Sequence, residues 1–284
     1  FFFNPPPANP DSSTSRGLGD VYKRQVRGKH GGYFTTEYGA GFDDPEVLWE
    51  ENRGIGMSFG FNREESFEDY NSAEHLILML VDTVSRGGNL LLDVGPTSDG
   101  RIPVIMEERL AEIGAWLEIN GEAIYGSRRW VKDAQWSAGA KPEFTKEDHH
   151  TGSALTESTI HPKPGNASRE ALFTSKGSTL YSLCPGWPVG KTLVIRDVMP
   201  SDATDVSLLG LQKKIAWKRV DNSIEIDLTK TNTAGDDYIY YVAVTAAGND
   251  LFNPEIEESG SGGQSQGAYQ LSLKHVDNCL LYTS

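Results

Sequence analysis

The sequence predicts an α/β segment followed by an all-β segment, and two observations support this fold class. Before Trp130, a helix pattern over Asn71–Arg86 is followed directly by the short apolar run Asn89–Gly95 and then by a second helix pattern. Beyond Trp130, short runs of alternating apolar and polar residues are separated by turns, which is typical of antiparallel sheets. A chain of 284 residues can bury one large core or two of medium size, and the change near Trp130 favours two.

The elements of the first segment have clear start and stop signals. Ser72 is a candidate N-cap for the first helix, and Gly87-Gly88 ends it. The run Asn89–Gly95 is continuously apolar, as in a strand buried on both faces of a parallel sheet. Pro103 is expected at the first position of the second helix, which Asn120-Gly121 closes. A barrel whose strands alternate with helices is one fold that satisfies this order.

The second segment predicts an antiparallel β-sandwich over residues 131–248. Its candidate strands are Ser178–Cys184, Thr192–Arg196, Ile215–Val220, Ser223–Leu228 and Tyr238–Val244. His149-His150 lies in a polar stretch that we expect to be a solvated loop; a metal site there is the alternative. Residues 249–278 are predicted to contain a flexible linker, Ser259–Gly267, and the start of a truncated module.

Composition excludes several classes of partner. Hydrophobic residues make up 38% of the chain and charged residues 23%, as in ordinary globular proteins. Forty acidic residues against 26 basic ones give a net charge of −14, which repels phosphate backbones and anionic lipids. We therefore expect no nucleic acid and no membrane as partner, whereas a neutral sugar is unaffected. Cys184 and Cys279 form no metal-type pair, so no metal site is expected.

Both ends of the sequence are expected to be foreign to the protein. Phe1–Thr14 has neither a helix or strand period nor the order of a signal peptide. Asp20–Gln25 and Cys279–Ser284 can be back-translated to one DNA word and its reverse complement, which resembles a transposon-end sequencing adapter. We therefore predict that residues 1–25 are a disordered translation artefact, that Cys279–Ser284 is one too, and that 26–278 is a fragment of a longer protein.

Candidate catalytic side chains cluster between residues 31 and 65. Carboxylates occur beside aromatic, glycine and arginine residues at Glu37, at Glu50 and Glu51, and at Glu64 and Glu65. Aromatic faces, carboxylates and guanidinium groups are the groups that bind sugars, and glycoside hydrolysis needs two carboxyl groups flanking the scissile bond. Spacing alone favours a solvated loop face over a sugar site, because glutamates are common.

Four ordered motifs resemble the C-terminal part of the catalytic domain of glycoside hydrolase family 29, the α-L-fucosidases. They are GGYFTTEYG, WEENRGIGMSFGFN, LVDTVSRGGNLLLDVGPTSDGRIP and RLAEIGAWLEINGEAIYGSRRW, and they lie within Gly31–Trp130. The resemblance implies that residues 26–130 are part of a (β/α)8-like barrel. It also implies a retaining mechanism without a cofactor, acting on a fucosylated oligosaccharide or glycoconjugate. The segment after Trp130 resembles the family's C-terminal domain more loosely.

The resemblance assigns roles to individual residues. Glu65 matches the general acid/base, and its neighbour Glu64 is the alternative for that role. Arg53 matches an arginine that contacts the fucose. Trp49 and Glu37 match motif positions and are assigned to substrate binding, with a structural role as the alternative.

Structural roles remain alternatives for several of these positions. Arg53 can instead form a salt bridge at the barrel rim, with Glu50 as the candidate partner, and Glu65 can be an exposed loop carboxylate. Asn89 and Asp93 flank the apolar strand and can stabilise its ends.

The family's nucleophilic aspartate is expected upstream of Gly31–Gly39, and here that register falls on Lys23 and Arg24. A cation cannot form a glycosyl ester. We therefore expect a fucosidase as parent protein and an inactive fragment as this chain. The alternatives are a non-catalytic carbohydrate-binding relative and a stand-alone β-sandwich binding module. Cellular location is open, with a periplasmic or secreted setting as the expectation for a carbohydrate-digesting enzyme.

Overall fold

The structure, a computed structural model, describes residues 33–42, 47–185, 192–229, 242–247 and 279–281. The predicted artefact at residues 1–25 lies outside the described residues. So does the predicted linker and module start at residues 249–278.

The first half of the described chain forms a parallel sheet packed against two helices. Its elements are β1 (Phe34–Glu37), β2 (Trp49–Gly54), α1 (Ala73–Ser85), β3 (Asn89–Asp93) and α2 (Val104–Asn120). The strand order is β1-β2-β3, and all three strands run in parallel. Beyond β3, the short strand β13 (Cys279–Leu281) pairs in parallel with Leu90–Leu92. The α/β character predicted for this segment is confirmed.

Alternation along the strands separates two faces of this sheet. Leu90 and Leu92 are buried in one hydrophobic core with the apolar residues of α1. Side chains two residues apart share a face, so Asn89 and Asp93 lie on the face turned away from α1. This second face is the one that carries the carboxylates described below.

The helix signals of the sequence are largely confirmed. The Ser72 side chain accepts a hydrogen bond from the His75 amide at 3.2 Å, and Gly87 follows the helix with a positive φ of 84°. Pro103 is one position earlier than predicted, because it precedes α2 as the capping residue. Its carbonyl accepts hydrogen bonds from the amides of Met106 and Glu107.

The second half forms two antiparallel sheets. The strands are β4 (Arg128–Trp136), β5 (Arg169–Lys176), β6 (Thr179–Cys184), β7 (Thr192–Arg196), β8 (Asp205–Leu208), β9 (Leu211–Lys214), β10 (Trp217–Val220), β11 (Ser223–Asp227) and β12 (Val242–Ala247). One sheet has the order β4-β5-β6-β12-β8-β9 and the other β10-β11-β7. Four predicted strands are confirmed as β6, β7, β10 and β11. The fifth overlaps β12, and its residues 238–241 lie outside the described chain.

The six-stranded sheet contributes to two cores. Leu172 on β5 packs in the core that contains α1, whereas its neighbour Phe173 faces a second core shared with the three-stranded sheet. In that second core the Trp130 and Phe173 rings meet edge to face, with centroids 5.1 Å apart. Since β4 begins at Arg128, one continuous strand passes through the boundary predicted near Trp130.

The stretch around His149-His150 is helical, so the prediction of a loop there was wrong. It forms α3 (Lys146–Thr151), and α4 (Ser153–Glu157) follows at once. Thr145 and Asp148 form a capping box that satisfies the first amides of α3. This T-x-x-D spacing is present in the sequence, and it was the overlooked signal that could have predicted the helix start.

An ion-pair network connects the two halves. Asp82 on α1 binds Arg169 on β5 and also Arg86, at 3.0 Å. Arg169 donates a second hydrogen bond to the Ser158 hydroxyl at 2.7 Å. Burial of the Asp82 carboxyl alone would raise its pKa, but the charges of Arg86 and Arg169 and their hydrogen bonds lower it to about 2. The network therefore depends on the ionised form of Asp82.

No helix in the described ranges is both long and apolar enough to cross a membrane.

Replacing the buried carboxylate tests this network. We expect Asp82→Asn to lower the free energy of unfolding at pH 7 by about 3 kcal/mol, because it leaves two arginines without a counter-charge. The pKa of Asp82 is lower in the folded chain, so its contribution is present above pH 4 and is lost as the pH falls towards 2. Urea unfolding at pH 7 and at pH 2 measures the cost of the substitution and its loss at low pH.

Asp197→Asn is the matched control, since the Asp197–Lys132 pair is 60% exposed at the carboxylate. Its expected cost is under about 1 kcal/mol. Equal costs for the two substitutions would contradict a special role of the buried network.

Candidate active site

The carboxyl ends of the three parallel strands bring acidic side chains to one edge of the sheet. Glu37 ends β1, and Asp93 ends β3 opposite Gly54 of β2. Glu50 lies on the same face four residues before Gly54 on β2, beside Asn89. In parallel α/β folds this edge is where ligands bind.

These carboxyl groups influence one another. Burial, and then the charge of Glu37, raises the pKa of Asp93 to about 6. Burial raises the pKa of Glu50 as well, with a further contribution from the charge of Asp93. The edge therefore holds carboxyl groups that retain protons at higher pH than an exposed side chain does.

Substituting Asp93 tests whether the ionised form of this carboxyl group lowers the stability of the folded chain. A raised pKa in the folded chain gives a contribution to stability that is complete below pH 4 and is lost as the pH rises through about 6. We therefore expect Asp93→Asn to increase the free energy of unfolding at pH 7 and to have little effect at pH 4, measured by urea unfolding. Asp202→Asn, in an exposed turn, serves as the control and should be neutral at both. A loss of stability in Asp93→Asn at pH 7 would mean that the carboxylate makes a favourable contact.

The loop between β2 and α1 carries Glu65 over this edge. Asn62 shapes the turn before it, since its side-chain oxygen accepts from the Glu64 amide and its carbonyl from the Glu65 amide. Both Glu65 carboxylate oxygens are shielded from solvent, whereas Glu64 is exposed. Burial, followed by the charge of Glu65, raises the pKa of the Tyr70 hydroxyl. The sequence left Glu64 and Glu65 as alternatives, and only Glu65 is turned into the structure.

Two glycines leave the space that this loop occupies. A Cβ atom on Gly56 would lie 3.2 Å from both Glu65 carboxylate oxygens. A Cβ atom on Gly95 would lie 2.2 Å from the Phe61 amide nitrogen, which is an impossible contact with the backbone. The position of the Glu65 loop therefore depends on the absence of a Cβ atom at residues 56 and 95.

Gly95→Ala and Gly114→Ala should have opposite effects on stability. Alanine at 95 collides with the loop backbone, so we expect a loss of at least about 2 kcal/mol in the free energy of unfolding. Gly114 is inside α2 with open space around its Cβ position, so alanine there should stabilise the chain by about 0.5–1 kcal/mol. Thermal and urea unfolding compare the variants. Similar effects at both sites would show that the loop moves freely away from β3.

Tyr38 lies between Arg53 on one side and the carboxyl groups of Asp93 and Glu65 on the other. Its hydroxyl accepts from the Gly54 amide at 2.9 Å and donates to the Gly56 carbonyl at 3.2 Å, so it holds the chain as it leaves β2. The Arg53 guanidinium lies 5.0 Å from the centre of its ring. Burial raises the pKa of Tyr38, the Gly54 hydrogen bond and Arg53 lower it, and the charges of Asp93 and Glu65 raise it further.

Arg53 is buried at the end of β2 and is held by four hydrogen bonds. Its Nε donates to Glu51 at 2.7 Å, and its Nη atoms donate to the carbonyls of Gly39, His149 and His150. The salt-bridge partner is Glu51, and the suggestion of Glu50 was wrong. Residues 51 and 53 share one face of the strand, while Glu50 points to the other face, and this period of two was visible in the sequence.

Trp49 is placed away from the carboxylate edge. It is 1% exposed, and its ring fills the space beside Gly41 and Gly88, with Arg86 over one face at 5.2 Å. The Phe42 ring meets it edge to face.

Tyr38 lies between Glu65 and Asp93, on the carboxylate side, and Arg53, whose side chain leaves the opposite face of β2. Glu37 ends β1, and its charge acts on Asp93. Trp49 is not part of this group. Sequence reasoning did not assign Tyr38 to the site, and it treated Asp93 as a residue that stabilises the strand end. Within the described ranges, no group of three or more histidine, cysteine, aspartate or glutamate side chains is arranged to hold a metal ion.

Two family models match this chain. The model described as alpha-L-fucosidase matches residues 11–122, and the alpha-L-fucosidase C-terminal domain matches residues 166–245. The chain belongs to the α-L-fucosidase family. The first match begins inside the segment predicted to be an artefact, whose origin stays a prediction.

Curated and solved members of the family are similar to the chain. The plasma alpha-L-fucosidase of Rattus norvegicus is 35% identical over 195 residues, which is 66% of this chain and 36% of that protein. The tissue alpha-L-fucosidase of Homo sapiens is 33% identical and covers 66% of this chain. The Thermotoga maritima alpha-fucosidase, solved in complex with fucose, has a TM-score of 0.55 at 33% identity and covers 77% of this chain and 43% of its own. The chain thus spans well under half the length of these relatives.

Proposed function

We propose that this chain is part of a retaining α-L-fucosidase that removes terminal α-L-fucose from glycans, with Glu65 as general acid/base. The observation that carries the proposal is the placement of the Glu65 carboxylate. It is shielded from solvent and lies over the carboxyl edge of a parallel sheet, in a chain matched by both fucosidase models. A carboxyl group turned into the ligand-binding edge is positioned to exchange a proton with a leaving group.

The parallel sheet is proposed to be one side of a (β/α)8 barrel. Its supports are the parallel register of β1, β2 and β3 and the crossover through α1, which is buried against the sheet. On this proposal, residues 26–130 are the C-terminal part of the catalytic domain. Residues 131–248 form the β-sandwich domain, consistent with two antiparallel sheets that share a core.

In the proposed reaction, Glu65 donates its proton to the glycosidic oxygen as a carboxylate nucleophile attacks the anomeric carbon from the opposite face. The C–O bond to the aglycone breaks and a fucosyl ester forms. Glu65, now ionised, takes a proton from water, and the resulting hydroxide displaces the ester and releases fucose. No cofactor enters these steps.

Glu37 is proposed to contact the sugar from the carboxylate face. Arg53, whose side chain leaves the opposite face of β2, is proposed to reach the sugar past the end of the strand beside Tyr38. Four of the five guanidinium N–H groups of Arg53 are used by Glu51 and three carbonyls. One N–H on Nη1 is left for a substrate oxygen, and the arginine is rigidly oriented. Trp49 is proposed to act through packing, because its ring is covered on the far side of β2.

The nucleophile is proposed to be outside this chain. The register expected for it falls on Lys23 and Arg24, in a segment outside the described residues. Without a second carboxylate opposite Glu65, the fucosyl ester cannot form, so the chain by itself should not turn over.

The test compares this chain with the product of the gene sequenced upstream of Val26 without transposon adapters. Using 4-nitrophenyl α-L-fucopyranoside, we expect nitrophenol release from the longer protein and none from the 284-residue chain. Release by the short chain would contradict the missing nucleophile. If the longer protein binds fucose and does not cleave the substrate, a non-catalytic sugar-binding relative is the correct interpretation.

In the longer protein, Glu65→Ala and Glu64→Ala form a matched pair. Glu65→Ala should lower kcat about 10²–10⁴-fold on a fucosyl disaccharide, and less on the nitrophenyl substrate, whose leaving group needs little protonation. Glu64→Ala should remain near the wild-type rate. The reverse ranking would transfer the acid/base role to Glu64.

A further inference from the structure

A cavity of about 390 Å³ lies on the opposite side of the parallel sheet from the carboxylate edge. It is enclosed by α1, by β4 and by the segment that contains α3 and α4, so both halves of the chain contribute. Glu65, Glu37 and Asp93 do not line it. A volume of this size accommodates a small ligand.

Positive charge exceeds negative charge around this cavity. Five cationic side chains line it, namely Arg53, Arg86, Arg129, Lys141 and Arg169, against three carboxylates. Two of the carboxylates, Glu51 and Asp82, already form ion pairs with lining arginines. A local surplus of cations is notable in a chain with a net charge of −14, and it favours an anion.

Two histidines that line the cavity are affected by the same positive charges. Burial, and then the charge of Arg53, lowers the pKa of His75 to about 4. Burial, and then the charge of Arg86, lowers the pKa of His149, although Asp82 opposes this. Both imidazoles are therefore neutral at pH 7 and add no negative or positive charge of their own.

Arg169 offers a buried donor in the cavity wall. Only 9% of the residue is exposed. Its Nη atoms bind Asp82 and Ser158, whereas its Nε–H is buried and has no acceptor among the residues that the structure describes. A buried donor without an acceptor is unfavourable, and a ligand oxygen would satisfy it.

The remaining wall is apolar and aromatic. Trp136, Phe144 and Leu155 line it, and the Lys141 ammonium lies 5.1 Å from the centre of the Trp136 ring. Lys141 is exposed at the cavity mouth. Carbon surface next to cationic groups suits a pyranose ring that carries an oxyanion.

We propose that this cavity is an accessory binding site for an oxyanion-bearing sugar, such as a uronic acid or a sulfated sugar. Glu65, Glu37 and Asp93 take no part in this site, whereas Arg53 lines it as well; binding there does not require the chain to be catalytically active. Lys141 meets the oxyanion at the mouth, and Arg169 meets it inside.

Calorimetric titration of the 284-residue chain tests the site with three probes: glucuronate, inorganic sulfate and neutral L-fucose. We expect glucuronate to bind one to one with a millimolar Kd that increases as the salt concentration rises. Lys141→Glu should raise the Kd for glucuronate at least tenfold. Lys146→Glu makes the same charge change five residues away, outside the cavity lining, and should change the Kd less than twofold. Circular dichroism establishes that each variant is folded.

Four results would overturn the proposal. The first is no binding of glucuronate to the wild-type chain, and the second is equal weakening by Lys141→Glu and Lys146→Glu. The third is binding of L-fucose as tight as that of glucuronate, which would indicate a site for neutral sugars. Inorganic sulfate that binds as tightly as glucuronate would remove the sugar from the assignment, because the pyranose would then contribute nothing.

Discussion

The buried carboxylate of Asp82 is the interaction on which the arrangement of the two halves depends. It joins α1, which covers the parallel sheet, to Arg169 on β5 of the antiparallel sheet, and its second partner, Arg86, covers Trp49 on β2. Buried ion pairs add little to stability compared with apolar packing, but they are costly to break and admit few alternative geometries. One aspartate therefore fixes where the C-terminal part meets the back of the catalytic sheet.

The two faces of the parallel sheet carry different charged groups. On one side, burial and a neighbouring carboxylate raise the pKa values of Asp93 and Glu50, and the glycines at 56 and 95 let the Glu65 loop lie over this edge. On the other side, guanidinium groups surround the domain-interface cavity. The short strands between the two sides keep opposite charge signs apart, and Arg53 with Tyr38 is where the two environments meet.

Local sequence signals predicted much of the fold. Ser72, Gly87 and the apolar run after them defined α1 and β3, since capping and burial act over a few residues. Among the antiparallel strands, β4, β5, β8 and β9 were missed. The side chains of β4 and β5 face two different cores and show no simple polar and apolar alternation. In the site, motif positions pointed to Glu65 and Arg53, while the roles of Tyr38 and Asp93 depend on contacts across strands that are distant in sequence.

The hydrogen bonds from Arg53 to the carbonyls of His149 and His150 limit how independently the two parts can evolve. These carbonyls belong to α3, which lies beyond the catalytic segment and between the two family matches. An insertion, deletion or exchange of the C-terminal part would remove two of the four hydrogen-bond acceptors of Arg53. The α3 segment is thus a structural support of this arginine, and grafting the first half of the chain onto a different partner would require replacement carbonyls at the same place.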